Sequence, residues 1–134
     1  METQNVDRGV AYSWALLVAA DGNLEEQELV TVFNINSNLK LTALDNESLV
    51  EIMKETINDI STKGLDHCYE IVKQCLEKEP NEKKMHLLIS FIKIALADDD
   101  FGNEEMVTIF KLADVIDISK QDILSVCLIL LKEK

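Results

Sequence analysis

The stretch Ala97-Asp98-Asp99-Asp100-Phe101-Gly102-Asn103-Glu104-Glu105-Met106-Val107-Thr108-Ile109-Phe110 repeats, without a gap, a pattern written 77 residues earlier as Ala20-Asp21-Gly22-Asn23-Leu24-Glu25-Glu26-Gln27-Glu28-Leu29-Val30-Thr31-Val32-Phe33. Six pairs are identical: Ala20/Ala97, Asp21/Asp98, Glu28/Glu105, Val30/Val107, Thr31/Thr108 and Phe33/Phe110. Two unrelated windows of this length share about one identity at average residue usage. The register continues through Leu39/Ile116, Leu41/Ile118, Thr42/Ser119, Asp45/Asp122 and Ser48/Ser125. We read this as an internal duplication, with related units over residues 6–48 and 83–125.

Each copy sits at a helix-to-helix joint. Val10, Trp14, Leu17 and Val18 recur at helical spacing, so a first helix is expected over Val6 to Ala20. Asp21-Gly22 ends it, Gly being suited to the position after a helix. Asn23 with Glu26 three residues on reads as the capping box of a second helix, with Leu29, Val32, Phe33 and Asn36 inward. A third helix starts at Thr42 or Asp45, carries Leu49, Ile52, Met53, Thr56, Ile57 and Ile60 inside, and breaks at Ser61-Thr62-Lys63-Gly64.

A fourth helix is expected from about Leu65 to Glu79, burying Leu65, Cys68, Tyr69, Val72, Cys75 and Leu76. Pro80 suits the first turn of a fifth, where its missing N–H costs nothing. That helix runs through Met85, Leu88, Ile89, Ile92 and Leu96, and Asp98 to Gly102 repeats the break. A sixth helix covers Asn103 to Val115. Ser119-Lys120-Gln121-Asp122 caps a seventh, which buries Ile123, Val126, Cys127, Leu130 and Leu131. The expectation is an all-α domain of about seven helices spanning residues 1–134, with helices one/two and five/six as related hairpins about an approximate two-fold axis. Helices three and seven would follow the hairpins, and helix four would bridge the halves.

Composition narrows the function classes. With 134 residues and 47% hydrophobic content the chain can bury a core without staples. One Pro, four Gly and 5% aromatics favour helices over strands. A net charge of −12 argues against nucleic acid and against anionic membrane surfaces, and leaves cations or basic proteins as partners. Cys68, Cys75 and Cys127 do not make a disulfide framework, so a reducing, cytoplasmic setting is expected. The first residues lack the basic region of a signal peptide, and Val10 to Ala20 is too short to span a bilayer.

Ala20-Asp21-Gly22 with Glu28 seven residues after the Asp, and Ala97-Asp98 with Glu105 seven residues after it, resemble the TerB-like family. That family is named for tellurite-resistance proteins and is also found as the N-terminal region of DjlA-type co-chaperones. In both copies a short apolar helix follows, then a Leu-x-Leu-Thr or Ile-x-Ile-Ser linker. The resemblance covers nearly the whole chain and departs from the pattern at Asp99, where Gly is usual. It implies a helical bundle, a stress-associated role and a cation site built from these acidic residues; it implies no known reaction.

The residues themselves allow the same site. An Asp at the end of a helix faces the negative end of its dipole, and something must offset that. A turn can do so, with Asp21 and Asp98 accepting N–H bonds from the next helix. A cation can do so as well. Asp21 would lie at the loop and Glu28 about 6 Å along the next helix, at about 1.5 Å per residue. Two hairpins would then bring up to four carboxylates together: Asp21, Glu28, Asp98 and Glu105, with Glu25, Asp99 and Asp100 as secondary candidates. Such oxygen donors suit Mg²⁺ or Ca²⁺ better than Zn²⁺.

Other chemistries find less support. Counted from Asp98, Gly102 is fifth and Ile109 twelfth, whereas an EF-hand loop needs Gly at the sixth position and Glu at the twelfth, so only weak Ca²⁺ binding fits. His67 and His86 match no metal spacing and read as surface residues; the cysteines read as small buried side chains. Lys73, Lys78, Lys83 and Lys84 near Pro80 are interleaved with Glu77, Glu79 and Glu82, as on a solvated face. Three functions follow: a non-enzymatic module binding a divalent cation or an unidentified basic protein partner, a metal-dependent hydrolase using the same carboxylates, or a structural module with no ion site. The oligomeric state is open.

Overall fold

A helix that is apolar on every side has to be surrounded, and Val10-Ala11-Tyr12-Ser13-Trp14-Ala15-Leu16-Leu17-Val18 is such a run. In the computed structural model, which describes residues 2–19, 26–97 and 103–133, this run forms the inner part of helix α1, Glu2–Val18. None of its residues is more than 3% exposed. The other helices are α2 Glu26–Leu39, α3 Asn46–Lys63, α4 Leu65–Leu76, α5 Asn81–Ala97, α6 Asn103–Val115 and α7 Lys120–Glu133. The described residues form seven α-helices and no strand.

Helix α5 is the second central element; Leu87, Leu88, Phe91, Ile92, Ile94 and Ala95 are all buried. It packs against α1, α2, α6 and α7, while α1 packs against α3, α4, α5 and α6. So α2 lies on α5, while α6 lies on α4, α1 and α5 alike. The α1–α5 contact is tied by a buried relay. Trp14 Nε1 donates to Ser90 Oγ at 2.9 Å, and Ser90 Oγ donates to the Leu87 carbonyl at 2.6 Å. Helix α4 lies on α1 and α3 and reaches α6. Its closest approach to α1 is at Gly9, where an added Cβ would stand 2.6 Å from Cys75 Cβ and 2.8 Å from Leu76 Cγ.

Several boundaries differ from the sequence reading. Helix α1 begins at Glu2 rather than Val6 and gives way to a turn at Ala19. The breaks Asp21-Gly22 and Asp98 to Gly102, and the Asn23 cap, lie outside the described residues. Asp45 caps α3, accepting from Ser48 N at 2.7 Å, because Thr42 is held elsewhere. Ser61, Thr62 and Lys63 continue α3; the break is Gly64 alone, at φ 91°, a left-handed value that glycine takes without Cβ strain. Its N–H closes α3 on the carbonyls of Asp59 and Ile60.

Helix α4 stops at Leu76, with Glu77 as its cap, and not at Glu79. Leu65 is 48% exposed rather than internal, because the buried row Cys68, Val72 and Leu76 leaves it at the uncovered end. Pro80 stands one residue before α5, its carbonyl accepting the first helical bond from Lys84 N at 3.0 Å. The Ser119 cap is present, accepting from Asp122 N at 3.2 Å. Along α7, Ile123 and Val126 are buried and Cys127 and Leu130 pack beside the core. The Leu131 side chain lies outside the described residues.

Candidate functional site

The acidic register can be followed in its helical part. Glu28 lies in the first turn of α2 and Glu105 in the first turn of α6, where a carboxylate meets the positive end of the helix dipole. Both are half-buried and neither is without a partner, whereas Glu26 is exposed. The surrounding positions match as well. Leu29 and Met106 are half-buried, Val32 and Ile109 fully buried, and Val30 and Val107 are 50% and 53% exposed. The two helices therefore present the same face to the core at the same register. The two glutamates belong to helices with different surroundings: α2 lies on α5, and α6 on α4, α1, α5 and α7.

Asp21, Glu25, Asp98, Asp99 and Asp100 lie outside the described residues. Among the described residues no group of three or more His, Cys, Asp or Glu side chains is placed to hold a metal ion. His86 is exposed and His67 half-buried. Cys68 is buried, its thiol 3.9 Å from the Thr56 carbonyl, and Cys75 and Cys127 are half-buried; all three are free thiols. Burial pushes each thiol above the ordinary range, which lowers the thiolate fraction that nucleophilic chemistry needs.

Between α4 and α6 a depression of about 480 Å³ is walled by Lys73, Glu77, Lys78, Asp114 and Asp117. Two lysines and three carboxylates stand there together. The lysine surface read near Pro80 is solvated only in part: Lys73 and Lys78 are exposed, but Lys84 is buried and Lys83 donates to the Leu41 carbonyl at 3.3 Å. No described helix is long and apolar enough to cross a membrane.

The sequence reading missed a polar cluster joining α1 to α3. Tyr12 Oη donates to Asp59 Oδ2 at 2.8 Å, and Arg8 Nη2 donates to Glu55 Oε1 at 2.8 Å and to Tyr12 Oη at 3.1 Å. Tyr12 is 0% and Asp59 6% exposed, so the hydroxyl and the carboxylate satisfy each other away from water. Lys63 stands 3.9 Å from the other oxygen of Asp59. Burial, then the bond to Asp59, pushes the Tyr12 hydroxyl far above the ordinary tyrosine range. A signal was available: a tyrosine inside an all-apolar helix needs a partner for its hydroxyl. This cluster holds α1 and α3 together.

Compared with known proteins, the chain matches the family model described as Tellurite resistance protein TerB over residues 8–126. Searches of curated proteins and of solved structures returned no match.

Proposed function

The chain belongs to the TerB family, and on that premise we propose that it is a non-enzymatic, cytoplasmic stress-response module related to tellurite resistance. Its acidic register would bind a divalent cation or a basic segment of a protein partner. The observation that carries this reading is the pair Glu28 and Glu105: same register, same first turn, both half-buried and both engaged. A glutamate serving only the helix dipole could stand at any first-turn position and remain in water, as Glu26 does. Asp21 and Asp98 would complete the donor set, with Glu25, Asp99 and Asp100 as reserve ligands. All would be carboxylates, so Mg²⁺ or Ca²⁺ is favoured over Zn²⁺.

The same reading includes the duplication. It is supported by the matching burial along α2 and α6, with Val32 and Ile109 buried and Val30 and Val107 exposed. It is supported too by left-handed non-glycine residues recurring 77 positions apart, Lys40 at φ 52° and Asp117 at φ 66°.

Calorimetric and thermal-shift titration with Mg²⁺, Ca²⁺, Mn²⁺ and Zn²⁺ tests the site. A bound ion stabilises the fold by mass action, by about 2.7 kcal/mol at a hundred times its Kd. The double variant Glu28→Gln, Glu105→Gln removes two charges at nearly constant shape and should abolish that gain. An undiminished ion-dependent shift in the double variant would rule the site out.

A further inference from the structure

We draw no further inference here: the strongest candidate, the exposed apolar face formed by Val107 of α6 and Leu124, Leu128 and Ile129 of α7, is bordered by Lys111 that stands among Asp66, Glu70 and Asp114, and nothing in the structure shows what covers it.

Discussion

The connector from α2 to α3 and the connector from α6 to α7 begin in the same way and then part. Each opens on a left-handed residue, Lys40 at φ 52° and Asp117 at φ 66°. In the first, the buried Asn36 side chain donates to the Leu44 carbonyl at 3.2 Å and accepts from the Thr42 hydroxyl at 2.8 Å. Asp7 accepts from Ala43 N at 3.3 Å. The chain is thereby held off the helix until Asp45 can cap α3. In the second, Ala113 stands where Asn36 stood and can offer only its backbone carbonyl, to Ile118 N at 2.8 Å. Ser119, the counterpart of Thr42, is left to cap α7, which in this register starts three residues sooner. The amide of Asn36 engages Thr42, whereas the methyl of Ala113 leaves Ser119 to cap. The first connector is latched by side-chain polar groups; the second is closed by a backbone bond and the Ser119 cap.

The largest test of that asymmetry is at Gly9 and its counterpart His86. Gly9→Ala drives a Cβ into Cys75 and Leu76 of α4 and should destabilise the protein by about 3 kcal/mol, the upper range for overpacking. His86→Ala, on an exposed position, should change urea-unfolding stability by no more than about 0.5 kcal/mol.

Tyr12 and Ile89 come next. Tyr12→Phe strips Asp59 of its buried donor and should cost about 2 kcal/mol, whereas Ile89 has no hydroxyl to lose. The same latch fixes a pH dependence. The Tyr12 hydroxyl titrates higher folded than unfolded, so its contribution is whole below about pH 10 and is lost as pH rises through the folded value. Alkaline unfolding of Tyr12→Phe should lack this component; an identical alkaline profile would mean the hydroxyl is not the sensor.

Asn36→Ala converts the first connector towards the second. A loss of about 1.5 kcal/mol is expected, with faster amide exchange at Leu44, whose N–H is bound by Thr42 Oγ1 at 3.2 Å. Unchanged exchange there would detach Asn36 from the placement of α3. The smallest effect is at the shared left-handed position. Lys40→Gly should stabilise by about 0.5 kcal/mol as Cβ strain is relieved against the added backbone entropy. Asp117→Gly should be near neutral in thermal melts, since Asp tolerates that conformation through local bonding.

Much of this fold was legible because its information is local. The all-round apolar run of α1 demanded a central helix, and the Ser119–Asp122 spacing is a cap that the backbone simply uses. What was illegible depends on residues far away in the chain. Asp59 looks like a surface aspartate until Tyr12, 47 residues earlier, is placed against it. Thr42 and Ser119 are equally good caps by sequence, and only Asn36 separates them. Leu124 and Leu128 share the hydropathy of Ile123 and Val126, and periodicity cannot say which stripe of α7 has neighbours. The acidic register was legible as a pattern. Its glutamates are placed half-buried at the starts of α2 and α6, but no spacing encodes which carboxylates meet in three dimensions.

Trp14, the single tryptophan of the chain, is wholly buried with its indole N–H bound to Ser90, 76 residues away on the other central helix. Its emission is therefore a spectroscopic gauge of one joint, the seam between α1 and α5. In a two-state protein the red shift of that emission and the loss of far-ultraviolet ellipticity share one midpoint. If the hairpins separate before their helices melt, the tryptophan shifts first while ellipticity holds. Ser90→Ala leaves the ring in place and removes its acceptor, so it separates the optical effect of that hydrogen bond from that of burial.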